Sequence, residues 1–150
     1  MSTTVEMNWK SFNGSNLTGV VAGDHTLTAE AIADGTIVEL QSYATIRREV
    51  KYGKNSRVDF LLESATRPPC YVEIKNVHLM RQTALAEFPD AKTERGAKHL
   101  EELGDVVEAG SRAAMLFLIQ IGSAERFSLA RDIDPKYGTA YDRARSRGVE

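Results

Sequence analysis

Two short runs govern what this chain can fold into: Arg57-Val58-Asp59-Phe60-Leu61-Leu62-Glu63 and Tyr71-Val72-Glu73-Ile74-Lys75. Both alternate apolar and polar residues, and successive side chains on a strand point to opposite faces. Residues 64–69 between them contain Pro68 and Pro69, which cannot donate to a ladder and so mark a turn. The runs therefore read as neighbouring antiparallel strands. Val58, Phe60 and Leu62 point one way from the first, and Asp59 points the other way with Leu61. On the second, Val72 and Ile74 lie opposite Glu73 and Lys75. Folded as a hairpin, the chain brings Asp59, Glu73 and Lys75 onto one face.

The rest of the chain supplies partners for this hairpin. Residues 44–52 also alternate, with Ile46, Arg48, Val50 and Tyr52 on one face and Arg47, Glu49 and Lys51 on the other. Gly53-Lys54-Asn55-Ser56 is a turn, so three strands form an antiparallel meander. A helix is expected before it over 26–34, with Leu27, Ala31 and Ile32 inward and Gly35 as the stop. Residues 77–90 read as a loop. A long helix follows over 92–109, where Ala97, Leu100, Leu103 and Val107 recur at near-helical spacing and Gly110 closes it. The nearly continuous apolar run within 112–121 predicts a fourth strand, buried on both faces. Asp134-Pro135 opens a last helix that ends near Gly148. The long helix is then a crossover, which sets the fourth strand parallel to one of the meander. The order α-β-β-β-α-β-α makes an α/β fold with a mixed sheet. Residues 1–25 are weakly patterned and read as a lead-in, with Trp9, Phe12, Leu17, Val20 and Val21 as its apolar residues. That leaves 26–150 as one domain.

A chain of 150 residues with 42% hydrophobic and 27% charged content suits one globular domain with its own core. Its apolar runs are too short to span a bilayer, so no membrane partner is expected. The lone Cys70 permits no internal disulfide and fits a reducing compartment, the cytoplasm. Ahead of a strand, it reads as a small apolar filler. The formal net charge of -2 argues against a globally basic nucleic-acid coat. Positive charge is local instead. It gathers at Arg47, Arg48, Lys51, Lys54 and Arg57, at Lys92, Arg95 and Lys98, and at Arg143, Arg145 and Arg147. A basic hairpin can hold a phosphate backbone, and it can equally be a solvated strand face.

An acid, a second acid and a lysine two residues beyond it form the active-site spacing of many metal-dependent nucleases. Phosphodiester cleavage needs a bound cation, a placed water and compensation for developing charge. Magnesium takes oxygen ligands. Asp59 and Glu73 offer carboxylates, and the Ile74 carbonyl between Glu73 and Lys75 can be a third ligand. Lys75 lies about 7 Å along the strand from Glu73, where its ammonium can contact the attacking water and the phosphate together. Glu30 on the first helix can reach the metal through a water. From the residues alone, the pattern also fits a solvated sheet face with a cross-strand ion pair between Asp59 and Lys75.

Longer stretches narrow the reading. Ser56-Arg57-Val58-Asp59-Phe60-Leu61-Leu62, Cys70-Tyr71-Val72-Glu73-Ile74-Lys75-Asn76-Val77, Phe88-Pro89-Asp90-Ala91, Thr93-Glu94-Arg95-Gly96-Ala97-Lys98-His99-Leu100 and Ala130-Arg131-Asp132-Ile133-Asp134 resemble the sugar fermentation stimulation protein family. The resemblance runs over residues 26–150. It implies a nuclease-like domain of the restriction-endonuclease superfamily, whose core runs α-β-β-β-α-β. It also implies a DNA-binding protein linked to regulation of sugar-utilisation genes. In the superfamily, the positions of Asp59, Glu73 and Lys75 bind metal and do the chemistry. Thr93-Glu94-Arg95-Gly96 and His99 match the family's own signature, at a helix start that is electropositive and suits a phosphate. Thr93 and Glu94 also fit helix capping, His99 a buried hydrogen-bonded histidine, and Arg95 a salt bridge to Asp90 or Glu94. Near the first helix the family usually has Asn residues, where this chain has Val21, Ala22, Gly23 and His25. Members usually carry an N-terminal OB-like module and a further strand past Arg147-Gly148-Val149-Glu150. A chain without them is expected to leave a sheet edge open, which invites a homodimer.

Two functions follow as expectations. The first is a DNA phosphodiesterase using Mg2+ or Mn2+. Asp59, Glu73 and Ile74 would hold the metal, Lys75 would place water and charge, and Glu30 would assist. Arg47, Arg48, Arg57, Thr93, Arg95, Lys98 and His99 would contact phosphates. The second is a non-catalytic DNA-binding regulator that keeps the nuclease fold as a scaffold.

Overall fold

The computed structural model describes residues 25–150. The expected lead-in, with Trp9, Phe12, Leu17, Val20 and Val21, lies outside the described residues. Chain order is α1 (His25–Ala33), β1 (Thr45–Tyr52), β2 (Ser56–Glu63), β3 (Cys70–Val77), β4 (Leu79–Gln82), β5 (Leu85–Phe88), α2 (Glu94–Glu108), β6 (Arg112–Ile119), β7 (Arg126–Leu129) and α3 (Pro135–Ser146). Local chemistry sets the helix ends. Thr93 caps α2 by accepting the Gly96 amide at 2.9 Å. Asp134 caps α3 by accepting the Tyr137 amide at 3.0 Å, with Pro135 in the first turn.

The main sheet has the order β1-β2-β3-β6. β1 and β2 pair antiparallel from Thr45↔Glu63 to Tyr52↔Ser56. β2 and β3 pair antiparallel only at Phe60↔Val72, Leu61↔Tyr71 and Leu62↔Cys70. β3 and β6 run parallel from Cys70↔Arg112 to Val77↔Ile119, as a crossover through α2 requires. The expected mixed α/β order is therefore present, with three strands added to it. Residues 77–90 are not a loop: they hold the antiparallel pair β4 and β5, and β7 joins β5 in parallel to make a small second sheet. Each of these strands has four residues, too short for alternation to announce. The Arg81 guanidinium secures them, donating to both Glu87 oxygens at 2.9 and 2.7 Å and to Asp132.

Each face of the main sheet buries its own core. Ala31 and Ile32 of α1 pack with Phe60, Leu62, Cys70, Val72 and Ile74. On the other side, Leu100 and Leu103 of α2 and Tyr137, Tyr141 and Ala144 of α3 pack with Leu61, Val77 and Phe117. Glu73 alternates with Val72 and Ile74, so it faces α2. Two expectations about faces are corrected. Val50, Tyr52 and Val58 do not share a face with Ile46, Phe60 and Leu62: the former belong to the α2 side, the latter to the α1 side. Arg48 pairs with Phe60 and Val50 with Val58, so both strands change sides together between these pairs, next to Glu49, whose φ of 53° is unusual for a residue with a side chain. β6 is not buried on both faces. Only Ala113 and Phe117 are buried along it, because it is the last strand of its sheet. Glu150 begins to pair along its outer edge, donating to the Ala113 carbonyl and accepting the Met115 amide, both at 2.9 Å.

Candidate active site

The short β2–β3 ladder creates the site. Pairing stops at Phe60↔Val72, and beyond it the side chain of Asp59 replaces the missing backbone partner. Its Oδ2 accepts the Ile74 amide at 2.7 Å. The N–H and C=O of one strand residue point to the same edge, so the Ile74 carbonyl also faces the gap toward β2.

Glu73 lies next to this gap with its side chain only 5% exposed. Its Oε1 receives two donors, Lys75 Nζ at 2.8 Å and His99 Nδ1 at 2.7 Å. Its Oε2 is buried with no hydrogen-bond partner among the described residues. Burial pushes the Glu73 carboxyl up, but the His99 and Lys75 donors outweigh it and leave it below the ordinary glutamate value. Two tyrosine hydroxyls, Tyr52 and Tyr137, are buried nearby and also lack partners among the described residues. Burial raises both above the usual phenol range, with Glu73 adding to each and Glu102 and Asp59 to Tyr52.

A hard divalent cation fits this donor set. Two carboxylates and a turned carbonyl are oxygen ligands, and an unpartnered buried carboxylate oxygen is a polar group that a cation would satisfy. No three His, Cys, Asp or Glu side chains converge as a ready metal cage among the described residues. Magnesium commonly keeps several waters and takes one or two carboxylates, so two suffice. Glu30 is not brought into the group. It is exposed on α1 and makes no side-chain hydrogen bond or ion pair among the described residues, while Ala31 and Ile32 beside it pack on the face away from Glu73.

The residues expected to contact phosphate divide sharply. Thr93 spends its hydroxyl on the α2 cap and its amide on Asp134 Oδ2 at 2.8 Å, so it is corrected to a structural role. Gly96 leaves room for this, since a Cβ there would lie 2.8 Å from Thr93 Oγ1. Lys98 is likewise engaged, donating to the Lys54 carbonyl at 2.8 Å beside Glu102 at 3.7 Å. Glu102 takes the Lys54 amide at 3.0 Å, so α2 holds both backbone groups of the hairpin tip. Gly53 has a φ of 55°, and a Cβ there would come 2.7 Å from Glu102 Oε1. His99 is buried against Glu73 rather than open to a phosphate. Arg95 is exposed; its Nε reaches His99 Nε2 at 3.4 Å. Arg48 stacks over Phe60, on the side away from Glu73. Arg47 pairs loosely with Glu63 at 3.5 Å, and Arg57 reaches the Glu49 carbonyl at 3.3 Å; both stay exposed. Arg147 is spent on Glu101, Asp105 and Glu108, which joins α3 to α2.

Glu102, Tyr52 and Tyr137 were missed as neighbours of the site. Glu102 carried a legible signal: it follows His99 by three residues and so shares its helix face. The tyrosines carried none, because their hydroxyls arrive through packing.

The chain matches the family described as "Sugar fermentation stimulation protein RE domain" over residues 23–150. It is 59% identical over 138 residues to a sugar fermentation stimulation protein homolog of Azorhizobium caulinodans, covering 91% of this chain and 58% of that protein. A homolog of Agrobacterium fabrum is 58% identical over 137 residues, covering 88% of this chain and 57% of that protein. The chain thus spans somewhat over half the length of these relatives. Among solved structures, that of Pyrococcus furiosus SfsA in complex with Ca2+ superimposes with a TM-score of 0.74 at 29% identity, covering 85% of this chain and 55% of that one. The chain belongs to the sugar fermentation stimulation protein family.

Proposed function

We propose that this domain binds DNA and carries a divalent-cation-dependent phosphodiesterase site where β2 and β3 part. The carrying observation is Glu73: two donors hold Oε1, and Oε2 is buried with no hydrogen-bond partner among the described residues. Asp59, Glu73 and the Ile74 carbonyl would hold Mg2+ or Mn2+. Such a cation, when bound, polarises a phosphate and lowers the pKa of a water. The Pyrococcus relative was solved in complex with Ca2+, another oxygen-seeking divalent ion, which is in keeping with a divalent cation as the ligand proposed for this chain.

The chain's own groups supply the rest. Lys75 is held by Glu73 with its side chain 17% exposed, so its ammonium sits at the mouth of the gap. There it orients an incoming water and offsets charge on a phosphate. Arg95 presents its guanidinium outward from the first turn of α2, and Arg47 and Arg57 extend the positive surface along the hairpin. These contacts neutralise backbone phosphates and read no base.

The test is nicking of supercoiled plasmid in Mn2+, Mg2+ or EDTA, with wild type beside Asp59→Asn. Metal-dependent nicking that disappears in the variant supports the reading. A folded wild type that never nicks, yet retards DNA in a gel, turns the assignment to a non-catalytic DNA-binding scaffold.

A further inference from the structure

His99 comes to Glu73 from α2, across the sheet–helix interface, and its ring is 4% exposed. One helical turn earlier, Arg95 Nε points at the other ring nitrogen, Nε2, at 3.4 Å. A guanidinium can only donate, so Nε2 is the accepting nitrogen. The proton of the neutral ring is then on Nδ1, which donates to Glu73 Oε1 at 2.7 Å. Lys75 donates to the same oxygen. Both fixed donors therefore gather on one oxygen and leave Oε2 as the free one.

This asymmetry has a cause. The terminal torsion of a glutamate is broad and nearly two-fold, so its two oxygens exchange easily unless something distinguishes them. Lys75 distinguishes them weakly, because its ammonium rides on a flexible stem. The His99 ring is buried on a packed helix and does so rigidly. We infer that Arg95 and His99 form a positioning pair, in which Arg95 holds the His99 tautomer and His99 turns Glu73 so that Oε2 faces the cation. This inference rests on the cation site proposed above. It reassigns His99 from phosphate contact to positioning residue, and it leaves the Arg95 Nη groups available to a phosphate.

The test titrates the protein with Mn2+ alone by calorimetry, without DNA. His99→Leu keeps the bulk and removes the donor. His99→Asn restores a donor near the Nδ1 position. Thermal unfolding confirms that each variant is folded. Outer partners of metal ligands typically change affinity by about 10–100-fold, so His99→Leu should weaken Mn2+ binding at least about tenfold. His99→Asn should recover most of that loss, which packing alone would not bring about. In parallel, long-range 1H–15N NMR of the wild type should show the His99 proton on Nδ1, and Arg95→Ala should mix the tautomers. Equal Mn2+ affinity in wild type and His99→Leu overturns the inference, as does an Asn variant no better than Leu. If His99→Leu does not fold, an Nε2–H tautomer in the wild type overturns it instead. A wild type that binds no Mn2+ overturns the cation site itself, and the positioning role with it. The wild-type titration thus reads the site, and the variants read the relay.

Discussion

Asp59 accepts the backbone amide of Ile74 at 2.7 Å, at the point where the β2–β3 ladder has ended. One carboxylate thereby closes a ladder and stands at the proposed cation site. The two duties separate by substitution. Asparagine keeps an oxygen that can accept the Ile74 amide but removes the charge. Asp59→Asn should therefore fold like wild type and lose metal-dependent nicking. Asp59→Ala should also leave that amide without its partner, at a cost of about 1–3 kcal/mol. Urea unfolding of both variants checks this. Equal stability of the two would show that the amide bond contributes nothing.

Lys75→Ala should leave the fold intact and abolish cleavage. Glu73 keeps the His99 donor in this variant, so its buried carboxylate is not stranded. Circular dichroism and plasmid nicking, run together, decide it. An unfolded Lys75→Ala protein would mean that the Lys75–Glu73 pair is needed for the fold itself.

Phe60 is fully buried among Leu62, Val72 and the α1 residues Ala31 and Ile32. Phe60→Ala should cost about 3–5 kcal/mol, the usual range for emptying a buried aromatic site. A neutral result in urea unfolding would remove Phe60 from the core and dissolve the packing of α1 on this face.

How far the sequence reached depended on the range of each interaction. Glu73 could be set apart from Val72 and Ile74 because a period of two is a local property of strands, but that period breaks between Val58 and Phe60, on either side of Asp59. The parallel β3–β6 pairing followed from a crossover rule that needs only element order. The Glu49 crossover was not legible, since nothing in a glutamate announces a positive φ. Beyond it Val50, Tyr52 and Val58 lie on the α2 side, and Tyr52 comes near Glu73. His99 was singled out, but its partner depends on how α2 is rotated against the sheet. Thr93 and Lys98 read as phosphate contacts because their charge or hydroxyl was visible, while the backbone groups that occupy them were not.

Tyr137 is fully buried, and its hydroxyl has no partner among the described residues. Removing a buried unsatisfied group relieves a desolvation cost. Its ring contact with Phe88, at 5.2 Å between centroids, survives in phenylalanine. Tyr137→Phe should therefore leave stability unchanged or raise it by about 1 kcal/mol. A clear loss in thermal unfolding would mean that the hydroxyl is bonded through water to Glu73 or Asp134.

Asp134 links the starts of two helices, accepting the Thr93 amide at 2.8 Å and the Tyr137 amide at 3.0 Å. The Thr93 amide lowers its pKa most, burial opposes this, and the Tyr137 amide lowers it further. The folded value is thus below the unfolded one, which is about 3.9. The unfolded chain therefore takes up the proton first as pH falls. The stability that Asp134 contributes is complete above the unfolded value and is lost as pH drops through the folded one. Asp134→Asn keeps one accepting oxygen for two amides and does not titrate. It should be less stable than wild type by about 1–3 kcal/mol near neutral pH, the cost of one unmet buried amide. That gap should narrow as pH falls from about 5 toward 2. Urea unfolding of both proteins across this range measures it. A gap that stays constant would show that the helix junction depends on the shape of Asp134 and not on its charge.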